Sequence, residues 1–414
     1  MGKRRAFSLK SAFTSFGENL KRIVSIASRE VGLIVHNPIY ICCMVVFPII
    51  VIFFFTSLMS EGQPEKLPCG VVDNDNTSTT RALIQRLDAF QSTRVVAHYN
   101  NVSEARQAIQ RGEIYGFLYI PDHMTADLIA QRQPKVSFYY SNVTLVAGGM
   151  VFKDLKTITT LVSASVGSAK LQMLGKTNRE IRNFIQPIAI DLHMIGNPWM
   201  SYNVYLSSIM IPGVLVLFML LITVYSIGTE LKFGRAREWI QMADYNIFVA
   251  LTGKLLPQTL IFLSIFLGFE WYIYGYLNFP HPGGLPMILL IAVLTVLSSQ
   301  GFGTFAFGLM PSLRMSMSVC SLWAVVGFSA CGATFPLFAM DGMIQALAEI
   351  IPLRHYYMIY QICVFNGYPL IDAWQNVIIL VGFACLPILT MRNLKRAMLE
   401  YVYRSEEHTS ELQS

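Results

Sequence analysis

Six long apolar runs constrain this chain more than any other feature of its sequence. The first, residues 38–59, holds no Asp, Glu, Lys or Arg. At ~1.5 Å of rise per residue it is long enough, as a helix, to cross a hydrocarbon layer of ~30 Å. Five more follow at 205–228, 255–277, 286–310, 317–338 and 374–391. Charged residues make up only 14% of the chain, against about 25% in an ordinary soluble domain. The expected fold class is therefore an α-helical polytopic membrane protein with six transmembrane helices.

One long interval breaks this pattern. Residues 60–204 have the composition of a soluble α/β domain, in which short β-branched runs alternate with helical ones. The runs at Cys69, Arg94, Tyr115 and Val136 read as strands, and 79–89, 102–111 and 124–130 as helices. Longer helices are expected at 143–174 and 178–185. Strict alternation implies a parallel or mixed sheet with helices on its faces. Of the seven cysteines only Cys69 falls in this interval, so the domain must hold together through its own core.

Charge sets the orientation. The amino-terminal segment 1–37 carries Lys3, Arg4, Arg5, Lys10, Lys21, Arg22 and Arg29 against Glu18 and Glu30. Lys232, Arg235, Arg237 and Lys254 mark the segment 229–254, Arg314 a short turn, and Arg392, Lys395 and Arg396 the end of the last run. The positive-inside rule places all of these in the cytoplasm, with both termini inside and the α/β domain outside. The expected location is a bacterial inner membrane, crossed many times. Within the amino-terminal segment Leu20, Ile23, Ala27, Val31 and Ile34 recur at helical spacing, which predicts an interfacial helix. No cleavable signal is evident, because the first run is too long for one. The last residues, 404–414, resemble a translated sequencing-library adapter and are set aside.

The polar segment 229–254 is the first candidate site. A helix at 236–243 would line up Trp239, Ile240 and Ala243 on one side, with Arg237, Glu238 and Gln241 elsewhere, and Trp239 reads as a docking anchor. Glu270, the acid deep inside an apolar run, reads either as a substrate contact or as part of an outer interfacial belt with Trp271, Tyr272, Tyr274 and Tyr276. Gly301, Gly303, Gly327 and Gly332 let helix backbones approach, either for packing or to line a path. Two short helices at 342–366 are too brief to span and are expected to be re-entrant or interfacial.

Much chemistry is absent. No Ser/His/Asp set, carboxylate pair or metal cluster is apparent, and His98, His123 and His193 lack ligand spacing. Gly175, Lys176 and Thr177 imitate the end of a phosphate loop, yet its first glycine would fall at Lys170. The chain reads as neither an enzyme nor a nucleic-acid binder, and it is expected to hold no metal.

Several residues together resemble a family, the ABC-2 type transporter permeases, and within it the bacterial exporters with a large periplasmic domain between the first two spans. Glu230, Gly234, Glu238, Gly253 and Lys254 occupy the places of the family's cytoplasmic motif. Pro352, Leu353, His355, Tyr356, Tyr357 and Gly367 match its outer Pro-Leu-aromatic-glycine pattern. The stretch from Val71 looks like the start of the family's external domain. Arg235 stands where the family has threonine, and Ala243 and Asp244 where it has Thr-Pro.

The resemblance implies a permease that exports a hydrophobic or amphiphilic substrate. Glu230, Gly234, Arg235, Arg237, Glu238, Trp239, Ile240, Gly253 and Lys254 would couple it to a separate ABC ATPase chain that binds ATP and Mg. It further implies a homodimer or heterodimer of permeases and a periplasmic membrane-fusion adaptor as a partner. The alternative is a non-transporting receptor or scaffold whose external α/β domain binds a ligand.

Overall fold

The computed structural model describes residues 9–130, 132–188, 191, 193, 197 and 200–401. Lys3, Arg4, Arg5 and the tail 404–414 lie outside them. The chain divides into two compact units, Met1–Ser60 with Ile195–Ser414, and Glu61–Met194.

Helix α1 (Leu9–His36) opens the first unit. Asn37 then accepts a hydrogen bond from the Ile39 amide and caps α2 (Pro38–Ile41), with Pro38 at the first helical position where its missing N–H costs nothing. A π turn, Cys42–Val46, continues it into α3 (Phe47–Leu58).

The second unit runs β1 (Leu67–Asp73), α4 (Ser78–Asp88), β2 (Thr93–His98), α5 (Val102–Gln110), β3 (Gly116–Ile120), α6 (Met124–Ile129), β4 (Ser137–Tyr140), α7 (Leu145–Met173) and α8 (Asn178–Ile185). Its sheet has the order β2-β1-β3-β4, with β1 parallel to β2 and β3, and β4 antiparallel to β3. The period of two along β1 explains the layering. Cys69 and Val71 pack with Leu83 and Leu87 of α4 and Leu155 of α7, whereas Val72 packs with Phe117 and the alanines of α5. Cys69 is free and fully buried, and burial pushes its thiol up to about 12, so it is a packing residue rather than a nucleophile.

The first unit resumes with α9 (Tyr202–Lys232), α10 (Ala236–Met242), α11 (Ile247–Trp271) with a terminal π turn Tyr272–Tyr276, α12 (Gly284–Leu309) and α13 (Leu313–Ala330). Then come α14 (Gly342–Ala348), α15 (Pro352–Ile359) with its π turn Tyr360–Phe365, α16 (Trp374–Cys385) and α17 (Pro387–Glu400). Among the described residues six helical segments are long and apolar enough to cross a membrane. Helix α9 is the axis of this unit, buried along nearly its whole length.

Three boundaries differ from the expectation, each for a local reason. Asn246 caps α11, which starts at Ile247, eight residues before the expected 255, so Gly253 and Lys254 lie inside a spanning helix. Helix α13 stops at Ala330 rather than 338, because Gly332 takes a φ of +93°, which a right-handed helix cannot contain. The last span is divided where Pro387 lacks the N–H that would bond Phe383 O.

The stripe expected on α1 is divided between two faces. Leu20 and Val31 are 52% and 47% exposed, while Ile26, Glu30 and Ile34 form the buried face. Ile23 and Ala27 of the expected stripe are half-buried beside Ile34, so the stripe reaches the inward face on which Glu30 finds its partners.

Candidate functional site

The buried acid on α1 belongs to a cluster of charges shared by three helices. Glu30 on α1, Glu230 on α9 and Lys254 on α11 are each at most 1% exposed. Arg29 Nη1 and Nη2 donate to Glu230 Oε1 and Oε2 at 2.8 and 2.9 Å, a bidentate pair. Lys254 Nζ donates to Glu30 Oε2 at 2.6 Å and to Glu230 Oε1 at 2.9 Å. Two acids thus meet two bases, and the cluster is neutral.

Polar neighbours complete it. Ser226 Oγ donates to Glu30 Oε1 at 2.8 Å, and Gln258 Nε2 reaches both Glu30 Oε1 at 3.1 Å and Ser226 Oγ at 2.7 Å. Each helix contributes through its i, i+4 spacing: Ile26 and Glu30, Ser226 and Glu230, Lys254 and Gln258 sit one turn apart on common faces. Gly253 makes the approach feasible. A Cβ there would lie 2.8 Å from Ile26 Cβ and 3.0 Å from Ile23 O, so only glycine lets α1 lie this close to α11. The Gly-Lys pair is therefore one device: the glycine admits α1 and the lysine locks it.

Trp239 corrects an expectation. It is not a surface anchor but is 0% exposed, with Nε1 donating to Ala250 O at 3.2 Å and Lys254 Nζ standing 5.3 Å from its ring centroid. Ile240 and Ala243 are equally buried. The apolar side of α10 faces its own bundle because the indole roofs the lysine. What α10 presents outward is Arg237, Glu238 and Gln241, next to exposed Phe233 and Tyr245. Gly234, at φ +69°, makes the turn from α9 into α10, and the Arg235 guanidinium lies 5.4 Å from the Phe233 ring. Arg237 Nε donates to Leu399 O at 3.1 Å, tying α10 to α17.

The remaining candidates are dispersed. Gly303 abuts Leu220 O and Thr223 of α9, Gly301 the α16 backbone, and Gly327 Ile351. These are contacts within one chain. Glu270 is 4% exposed, unlike the adjacent Trp271, so it is no part of an outward belt. Its Oε2 has no hydrogen-bond partner. Pro352 starts α15, where Leu353, His355 and Tyr356 are buried and Tyr357 is half-buried. His355 is held by Asn376 Oδ1 at 2.9 Å and Glu349 O at 2.8 Å, Tyr356 reaches Ser208 O at 3.4 Å, and Gly367, at φ +71°, packs on Pro282. The outer motif is a packing unit around α15.

The arrangement has known relatives. A family model described as ABC-2 family transporter protein matches residues 38–391. The chain belongs to that family. It is 19% identical over 356 residues to the linearmycin resistance permease protein LnrN of Bacillus subtilis (strain 168), covering 81% of this chain and 89% of that protein. It is 18% identical over 382 residues to the inner membrane transport permease YhhJ of Escherichia coli (strain K12), covering 90% of this chain and 97% of that one. The chain is thus a multi-pass transport permease, and such permeases are not themselves enzymes. Reading the sequence singled out Glu230 and Lys254 of the permease's cluster but treated Arg29 and Glu30 only as charges. Ser226 and Gln258 passed unnoticed. The findable signal was the i, i+4 repetition of polar residues on two of the three helices, Ser226 with Glu230 and Lys254 with Gln258.

Proposed function

We propose that this chain is the permease subunit of an exporter that moves a hydrophobic or amphiphilic substrate out across a bacterial inner membrane, driven by ATP and Mg bound on a separate ABC ATPase. The observation that carries this reading is the buried neutral cluster of Arg29, Glu30, Glu230 and Lys254. It joins α1 to α9 and α11 beside the turn that presents Phe233, Arg237, Glu238, Gln241 and Tyr245. A push on that exposed turn reaches the axial helix α9 through a joint that cannot slide, since parting the ions would leave charges buried and unpaired. The turn lies in the cytoplasm in this reading, the α/β unit lies outside, and a second permease copy and a periplasmic adaptor complete the assembly.

The test is a pull-down of the partner ATPase from membranes, scored together with export. Phe233→Ala combined with Tyr245→Ala should lower ATPase capture at least tenfold and abolish export, with the permease's thermal midpoint unchanged because both side chains are exposed. Capture and export equal to the parent would refute the assignment of the docking surface.

A further inference from the structure

Away from the charge cluster, a cavity of about 410 Å³ lies between α11, α12 and the break separating α16 from α17. That volume falls within the ~300–1,000 Å³ of small-molecule sites. None of its lining side chains is charged. Phe248, Leu256, Leu297 and Ile388 at its rim are exposed, so in a spanning bundle its mouth faces hydrocarbon.

One polar group points to an occupant. Gln300, 3% exposed, lines the cavity; Thr259 Oγ1 lies 2.7 Å from its Oε1, and its Nε2 has no partner. A buried donor left without an acceptor is destabilising. Water is a poor answer, because a buried water needs two to four polar partners. The other hydroxyls here donate within their own helices, Thr252 to Phe248 O and Thr304 to Gln300 O, while the single Thr259 proton goes to Gln300 Oε1. The α16 backbone forms a neighbouring wall and approaches α12 this closely only because residue 301 is glycine, since a Cβ there would lie 2.3 Å from Phe383 O. Gln300 stands nine residues before the end of α12, ~14 Å along its axis and well inside the hydrocarbon layer.

We propose that this cavity is a site for an uncharged acylglycerol-type lipid taken laterally from the bilayer. An ester or hydroxyl oxygen of the lipid accepts the Gln300 amide hydrogen, and its chain lies against Leu255, Leu297 and Ile388. The uncharged lining selects against fatty acids and amines, whose ionised heads would be stranded there. The assignment concerns binding and stands whether or not the permease exports anything.

The experiment uses the full chain in phosphatidylcholine nanodiscs, with a monoacylglycerol bearing a diazirine near its tail, photolysed and mapped by peptide mass spectrometry. Adducts are expected in residues 248–259, 297–304 and 384–391. Gln300→Leu should reduce them at least fivefold. Ile388→Trp, which fills the mouth from an exposed position, should do the same even if Gln300→Leu fails to fold. A fatty-acid probe of equal chain length should label these peptides at no more than a tenth of the level. Labelling spread evenly over all lipid-facing helices, or unchanged in Ile388→Trp, would overturn the proposal. So would efficient cross-linking of Cys385 between two copies, which would give this face to a second subunit.

Discussion

Two glutamates on spanning helices, Glu230 on α9 and Glu270 on α11, are 0% and 4% exposed, and the difference between their surroundings divides the bundle into two kinds of ground. Glu230 receives both guanidinium bonds of Arg29 and one bond from Lys254. Glu270 sits among aromatic side chains with Oε2 unpartnered. Around Glu230 every displacement separates ions, so that region moves as one piece or not at all. Among the described residues no ion pair joins Glu270 to another helix, and α11 is held there by the packing of Phe266, Phe269, Ile273 and Tyr274 instead. One region is held by buried ions, the other by apolar and aromatic packing alone.

The comparison is broken most forcefully by removing the acid from the stiff side. Glu230→Gln leaves Arg29 and Lys254 to share Glu30, and the cost of breaking a buried pair, about 3–5 kcal/mol, should appear as a large fall in the thermal midpoint of the purified permease. The same change on the apolar side should behave in the opposite sense. Glu270→Gln removes an unpaired carboxyl and keeps its shape, so stability should hold or rise by about 1 kcal/mol. Equal losses from the two substitutions would erase the distinction.

A buried carboxyl of the α/β unit gives the smallest effect. Burial raises the Asp154 carboxyl above the ordinary range despite hydrogen bonds from Ser92 and Thr93, and one of its oxygens has no partner. The folded α/β unit therefore holds this proton more tightly than the unfolded chain. Its stability is greatest below the ordinary carboxylate range and declines as pH rises from there through the raised folded value. Asp154→Asn should flatten that decline and raise the unit's midpoint at neutral pH by roughly 3 °C. Hydrogen exchange of β1 and α7 in the full chain, followed against pH, reads both.

Legibility in the sequence tracked how local each feature is. The alternation of strands and helices between Leu67 and Ile185 followed from runs of side chains adjacent in the chain, and the mixed sheet appears as read. The spans were equally plain, since apolar length is local. What one sequence could not orient was a helix face. Trp239 looked like an anchor because its neighbours are polar, yet its partners, Ala250 O and the Lys254 ammonium, lie a turn and a helix away. Glu30 looked like a tail charge because Lys254, its partner, lies 224 residues on. Leu20 and Val31 misled for the same reason: hydrophobicity marks a face as dry without saying whether lipid or protein dries it.

The central claim is that Glu30 and Lys254 form one neutral joint clamping α1 to the spans, and a double-mutant cycle on that pair tests it most directly. Thermal unfolding of the purified permease in nanodiscs would compare Glu30→Gln, Lys254→Met and the two combined. Each single variant should be clearly destabilised, because it leaves the cluster with an unbalanced buried charge. The double variant should recover most of the loss, since Arg29 and Glu230 remain a balanced bidentate pair. Losses that simply add in the double variant would show that the two residues act independently, and the joint as described here would not exist.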